Sequence, residues 1–237
     1  MEKRTIVRFC LGLLILTLAF SLRPGRFPPY ARIDFVQTWT PTYCAQPDVK
    51  CRQNLEPTFT LHGLWPADAD GKAPTYCSKK RSDQDIDKET TELRDDLLRV
   101  WPSVQEGKTS KSFWQYEWNK HGICCLLNVT KMDYFRAAIA QRNNINLLSI
   151  FTNAGVKPSW DATYTEAAIE NTVEGHTGTA VHVSCKPMND THVKLFEIYI
   201  CLDVPGTNYV DCPPSGNYKR GCWRPGTETS IIIFPPK

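Results

Sequence analysis

Two short stretches, far apart in the chain, carry histidines in company that suits proton transfer at a phosphate. One reads Phe59-Thr60-Leu61-His62-Gly63-Leu64-Trp65-Pro66; the other reads Phe113-Trp114-Gln115-Tyr116-Glu117-Trp118-Asn119-Lys120-His121-Gly122. Imidazole changes charge near neutral pH, so two of them can divide general-acid and general-base work. A carboxylate and an ammonium stand beside them, and a cation can hold the charge of a phosphorane. These four groups are what metal-free cleavage of RNA needs. One takes the proton from a ribose 2′-OH, another protonates the departing 5′-oxygen, and the cations stabilise what lies between.

The second stretch has to be held on one rigid element for this to work. Ser112-Phe113-Trp114-Gln115 has the form of a capping box, with Ser112 as N-cap, and Gly122 suits the position after the last turn. A short helix over Phe113–His121 then puts Glu117 and His121 at i,i+4 and Glu117 and Lys120 at i,i+3, on one face. Trp114 and Trp118 form a neighbouring stripe that can anchor the helix in a core. Taken singly, a Glu–His pair at this spacing is more often a surface ion pair, and a histidine between apolar strand residues is more often a hydrogen-bonded core residue. The conjunction of the two stretches argues against both readings.

Strands are expected over Ile33–Trp39, Thr58–Leu64, Ala180–Cys185, Leu195–Leu202 and Ser230–Phe234, which are rich in β-branched and aromatic residues. Helices are expected over Asp85–Val100, Phe113–His121, Lys131–Arg142, Leu147–Asn153 and Thr165–Asn171, with Gly155 suited to the end of the fourth. Strands and helices do not alternate strictly. The fold class is therefore α+β: a single domain with an antiparallel sheet core, several packed helices and disulfide staples.

The two stretches resemble the paired active-site signatures of the ribonuclease T2 family, whose usual forms read FTIHGLWP and FWxHEWxKHG. The resemblance spans about Ile33 to Phe234 and has the character of the plant S-ribonucleases of gametophytic self-incompatibility. It implies that His121 is the general base, His62 the general acid, and that Glu117 and Lys120 polarise the phosphate. Trp65 would line the phosphate site. Phe113 would be a base-stacking platform, with Ser103, Gln105 and Thr38 nearby, unless it merely packs in the core. Tyr116 stands where the family often has a third, phosphate-contacting histidine; a phenol donates one hydrogen bond but adds no charge near neutral pH. Tyr116 is still expected to touch substrate, with phosphate binding weakened.

The same resemblance implies disulfides Cys44–Cys51, Cys77–Cys124, Cys185–Cys222 and Cys201–Cys212. Cys125 is left over, either as a buried thiol or as the partner of Cys77 in place of Cys124. Many plant members carry a further bridge between positions held here by Arg52 and by Gln105-Glu106, and its absence points towards the self-incompatibility group.

Residues 1–21 have the form of a secretory signal: Lys3, Arg4 and Arg8, then an apolar run from Phe9 to Phe20, then small residues Ala19 and Ser21. The run is too short for a bilayer, which needs about 20 apolar residues. Residues 22–32 read as an N-terminal extension and 33–237 as the domain. Removing 1–21 takes three of the 28 basic and one of the 25 acidic residues, so the formal charge falls from +3 to about +1. A polyanion must then be met by local charge. Loops at Pro66–Ser82 and Gly107–Lys111 carry Lys72, Lys79, Lys80, Arg81, Lys108 and Lys111, either as a solvated face or as a steering surface. Asn128 and Asn189 begin N-x-T sequons, expected to be glycosylated in a secreted chain. His176, His182 and His192 lie outside both motifs; His182, between Val181 and Val183, reads as structural.

No metal-ligand pattern and no cofactor motif is present, and the cysteines are better used as bridges. The expected partner is single-stranded RNA, cut to 2′,3′-cyclic phosphates and then to 3′-phosphates. DNA lacks the 2′-OH and is not expected to be cut. The chain is expected to be secreted, extracellular and monomeric, with no membrane association, and with a pollen-side protein partner if the role is self-incompatibility. The competing readings are a defensive or phosphate-scavenging ribonuclease and a catalytically silent storage or recognition homologue. The silent reading predicts loss of His62 or His121, and both are present.

Overall fold

The longest strand organises the molecule. In the computed structural model, which describes residues 30–77, 86, 90–125, 129–204, 206–213, 221–222 and 231–237, strand β5 runs His192–Leu202 through the middle of a seven-stranded sheet. It is flanked by β1 (Arg32–Trp39), β4 (His182–Pro187), β6 (Tyr209–Val210) and β7 (Ile231–Phe234). β2 (Phe59–Ala67) lies outside β1, and β3 (Ser159–Tyr164) lies outside β7. The signal-like residues 1–21, most of the extension, Asn128, and Lys79, Lys80 and Arg81 fall outside the described residues.

The fold is α+β, as expected, but the sheet is mixed. Every pairing of the named strands is antiparallel except β5 with β7, which is parallel. The reason is positional. β1 pairs with β5 only from Glu197 to Leu202, leaving the edge at His192–Lys194 open, and β7 fills it. The indole of Trp39, at the end of β1, donates to the Pro235 carbonyl at 2.9 Å and fixes the tail there. β3 and β6 leave no clear pattern in the sequence because they are short and neither holds a fully buried residue.

The helices are α1 (Thr40–Cys44), α2 (Arg94–Val100), α3 (Ser110–Lys120), α4 (Lys131–Asn144), α5 (Leu147–Asn153) and α6 (Glu166–Thr177). α2 covers the second half of the expected Asp85–Val100; a 3₁₀ turn, Thr91–Leu93, precedes it, Ile86 and Thr90 before that turn are also helical, and residues 85 and 87–89 lie outside the described residues. α6 runs past Asn171 to Thr177, with Thr165 as its cap and Gly178 in the left-handed region at φ 73°.

One core holds these layers together. Trp39, Phe59, Phe151 and Phe234 pack ring to ring at one end. Trp101, Tyr134 and Phe135 do so beneath α3, with Trp114 and Trp118 reaching in from that helix. Four disulfides are present: Cys44–Cys51, Cys77–Cys124, Cys185–Cys222 and Cys201–Cys212. Cys125 is a thiol, and burial pushes it up to about 12, so it stays protonated and unreactive at neutral pH.

Hydrogen bonds join the segment around Arg52 to the segment around Gln105-Glu106. Cys51 pairs as an isolated bridge with Gln105, Arg52 N–H donates to the Val104 carbonyl at 3.0 Å, and Glu106 N–H donates to the Lys50 carbonyl at 2.8 Å. The Arg52 guanidinium adds a bond to the Lys108 carbonyl at 2.8 Å.

Candidate active site

β2 is an edge strand, and a bulge in it creates the site. β1 and β2 are in register as Val36↔Gly63 and then Gln37↔Leu61, so His62 is the extra residue. Leu61 and Leu64 both face the main core, three residues apart rather than two. Simple alternation would put His62 and Trp65 on opposite faces. The bulge brings them to the same side, with ring centroids 4.6 Å apart. The three-residue spacing of His62 and Trp65 brings them together only because the strand is bulged at His62.

The bulged backbone is held from the core side. Trp101 Nε1 donates to the His62 carbonyl at 3.1 Å, and the Tyr134 hydroxyl donates to the Leu64 carbonyl at 3.1 Å. These bonds satisfy carbonyls on an edge that would otherwise be open to water or to another strand. Trp101 in turn accepts at its own carbonyl from Trp114 Nε1 at 2.7 Å, which ties β2 to α3.

α3 begins three residues earlier than the sequence suggests. Its N-cap is Thr109, whose Oγ1 accepts from Ser112 N–H at 3.1 Å. Ser112 is therefore inside the helix, with its hydroxyl donating to the Thr109 carbonyl, and Gln115 donates to Asn119. Gly122 is not a left-handed cap either; it opens a 3₁₀ turn, Gly122–Cys124. It is a glycine because a Cβ there would lie 2.5 Å from Trp118 Cε3.

The four chemistry-bearing residues converge. Trp65 touches both histidines: its ring meets His62 edge-on and stacks on His121 with centroids 5.0 Å apart and planes 28° from parallel. Trp65 Nε1 donates to Glu117 Oε2 at 2.9 Å. Lys120 lies one turn beyond Tyr116, with its ammonium 5.2 Å from that ring's centroid. Tyr116 is 47% exposed, at the cleft rim rather than in the core. His121 is buried at the end of α3.

His62 has a partner that neither motif contains. Its Nδ1 lies 2.6 Å from Glu197 Oε1, on β5. The His62 side chain remains 33% exposed, and with Nδ1 engaged, Nε2 is the nitrogen left for the cleft. Burial alone would lower its pKa; the charge and hydrogen bond of Glu197 and the charge of Glu117 outweigh that and Lys120's opposing charge, so the imidazole is held above its ordinary value. Burial raises Glu117, against the pull of His62, Trp65 and Lys120.

A cleft of about 550 Å³ opens beside His62, lined among others by Thr38, Tyr43, Ser103, Gln105, Phe113 and Tyr116. Phe113 does two things at once, lining the cleft while packing edge-on against Trp101. Tyr43 OH donates to Gln105 Oε1 at 3.4 Å, and Ser103 N–H donates to Ser110 Oγ at 3.0 Å. Thr38, expected to serve base recognition, spends its hydroxyl proton on Glu197 Oε1 at 3.1 Å. Lys108 stands exposed at the mouth. His182 is buried against Tyr199 on the sheet, away from the cleft lining. Asn189 sits in an exposed turn, its Oδ1 accepting from the N–H groups of Thr191 and His192. Among the described residues no group of three His, Cys, Asp or Glu side chains is placed to hold a metal ion, and no helix is long and apolar enough to cross a membrane.

Sequence reasoning missed Glu197 and Tyr43. Glu197 did leave a signal: a lone charge within Leu195-Phe196-Glu197-Ile198-Tyr199-Ile200, which a buried strand keeps only if a partner meets it.

Comparison with known proteins gives one answer. The model of the Ribonuclease T2 family matches residues 30–212. Ribonuclease 3 of Arabidopsis thaliana is 33% identical over 183 residues, 76% of this chain and 81% of that protein. Ribonuclease S-7 of Nicotiana alata is 32% identical over 193 residues, 78% of this chain and 84% of that protein. Among solved structures, ribonuclease MC1 from the seeds of bitter gourd superposes with a TM-score of 0.73 at 26% identity, covering 86% of this chain and all of that one.

Proposed function

The chain belongs to the ribonuclease T2 family and is a T2-type endoribonuclease, and on that premise we propose how its residues divide the reaction. His121 takes the proton from the ribose 2′-OH. The 2′-oxygen then attacks phosphorus, and His62 gives its Nε2 proton to the 5′-oxygen as the P–O5′ bond breaks. Glu117, fixed by Trp65, and Lys120 stabilise the phosphorane, and Lys120 supplies its positive charge. The 2′,3′-cyclic phosphate is then hydrolysed to a 3′-phosphate with the two imidazoles exchanging roles. Tyr116 touches the phosphate from the rim, and Phe113, with Gln105, Ser103 and Thr38 around it, receives a base, a stack worth roughly 1–3 kcal/mol. The reaction needs no metal or cofactor.

The observation that carries this reading is that both imidazoles pack against the one indole, Trp65, while His62, with its Nδ1 engaged, lines an open cleft together with Glu117. The test exploits leaving groups. A ribose 5′-oxygen leaves poorly without a proton, whereas the phenolate of uridine 3′-(p-nitrophenyl phosphate) leaves well. His62→Ala should lower cleavage of RNA by about 10²–10⁴-fold, the usual worth of one acid–base group, and largely spare the activated ester. His121→Ala should damage both. The reverse pattern means that the roles are swapped, and loss of wild-type activity in excess chelator defeats the mechanism.

At the level of biology, we propose a secreted, glycosylated and monomeric enzyme acting in the pistil. Residues 1–21 would be removed and Asn128 and Asn189 would carry glycans. Support comes from the signal-like leader, from the exposed turn at Asn189, and from hydrogen bonds at 50–52 and 104–106 where a fifth bridge is lacking. Transcripts confined to the style, and a pollen-side protein that binds the enzyme, are the expected findings. Expression in phosphate-starved leaf instead would favour a scavenging role.

A further inference from the structure

Glu197 lies in the middle of β5, opposite Thr38 of β1 and Ser184 of β4, and is 3% exposed. A carboxylate in such a place destabilises the fold unless its oxygens are met by donors. Here they are. Oε2 accepts from the Tyr199 hydroxyl at 2.8 Å, and Oε1 accepts from the Thr38 hydroxyl at 3.1 Å and faces His62 Nδ1 at 2.6 Å. Tyr199 is itself packed against Trp65, with ring centroids 6.0 Å apart, and against His182 at 5.4 Å. The carboxylate is thus built into the sheet, and the imidazole is the only one of its three partners that also lines the cleft while able to change its charge near neutral pH.

We propose that Glu197 is a positioning residue for the reaction: it holds His62 by the Nδ1 proton, aims Nε2 at the departing 5′-oxygen, and keeps the imidazole charged until that oxygen needs its proton. The inference rests on His62 being the general acid. The proton balance is simple. The Nε2 proton passes to the 5′-oxygen as the P–O5′ bond breaks, the Nδ1 proton stays on the ring facing Glu197, and the neutral His62 can then take a proton from water in the hydrolytic step. The other charged or titratable groups around His62 are Glu117 and Lys120 on α3, His121 stacked on Trp65, Tyr43, Lys108 and Tyr116 along the cleft, and Tyr199 behind Glu197, with His182 beyond. Of these, Glu197 alone is shown in direct hydrogen-bond contact with the ring.

The experiment is Glu197→Gln in the full chain, which keeps the shape and removes the charge. His62 is followed by NMR titration of its ring protons, and kcat/KM is measured against pH on RNA and on uridine 3′-(p-nitrophenyl phosphate). The His62 titration should move to lower pH, the alkaline limb of the RNA profile should move down with it, and the loss should be much smaller on the activated ester. An unmoved titration overturns the proposal. So does an equal loss on both substrates with the limb in place, the pattern of a purely structural residue. If Glu197→Gln does not fold, Tyr199→Phe serves. It withdraws a donor from Oε2, leaves more charge to Oε1, and should move the His62 titration to higher pH; no shift or a downward one overturns the proposal. Failure of the acid role itself reads differently: His62→Ala would then damage both substrates alike, whatever the titration shows.

Discussion

Gly63 has no room for a side chain. A Cβ there would come within 2.7 Å of Glu117 Oε2 and closer still to Trp65 Nε1, the two atoms whose hydrogen bond joins β2 to α3. Gly63→Ala should therefore push the indole off the carboxylate, costing roughly 1–3 kcal/mol by denaturant unfolding and lowering kcat/KM; a fully active, equally stable variant would contradict the packing. Tyr116 makes the opposite case. Its ring is 47% exposed and stacks only under the Lys120 ammonium, so Tyr116→His should leave the melting temperature unchanged and lower KM for long RNA. An unchanged KM would mean that this position does not meet phosphate. At this scale the sequence was informative about identity and silent about partnership. His62, Glu117, Lys120 and His121 stand out by type and spacing. Glu197 does not, because its contact with His62 spans 135 positions and no local pattern encodes it.

Among the elements, α3 carries the most. Its start is fixed by the Thr109 hydroxyl, and a helix cap of this kind is worth about 1 kcal/mol. Thr109→Ala should lose about that much, whereas Ser112→Ala, at an exposed site, should stay within about 0.5 kcal/mol. Equal losses would restore Ser112 as the cap. The two residues are hard to tell apart in sequence because both belong to an Ser/Thr-rich run, Thr109-Ser110-Lys111-Ser112, that offers several hydroxyls to one set of N–H groups. Long strands and helices with a strong pattern were legible, as Leu147–Asn153 and the β5 segment illustrate. The bulge at His62 and the parallel seat of β7 were not, since each depends on what lies across the sheet rather than along the chain.

For the whole molecule, the titrating groups set a pH window. His62 is held above its ordinary value, so the stability it contributes is complete below the unfolded histidine's pKa and is lost as pH rises through the folded one. Glu197, where burial pushes up but His62, Tyr199 and Thr38 pull down harder, contributes stability that is lost only as pH falls through its lowered value. On α6, burial and the neighbouring Glu166 and Glu174 push Glu170 up to about 7, so its ionisation costs stability as pH climbs towards neutrality. The Glu197 window lies below the ordinary carboxylate value, so between about pH 5 and about pH 8 only His62 and Glu170 count and their signs agree: the melting temperature should be higher at the acid end of that range, and Glu170→Gln should remove part of the difference. A flat or rising profile over that range would contradict the balance.

The cleft wall at 104–106 is fastened to 50–52 chiefly by main-chain atoms. Such a fastening is indifferent to which side chains the wall displays. Gln105 can be exchanged for another residue, and the side chains shown at the rim rewritten, while the N–H and C=O groups that anchor the segment are untouched. Selection for recognition and selection for folding therefore act on different atoms at this place. A lineage can diversify what this cleft wall displays without first accumulating stability to spend on the change.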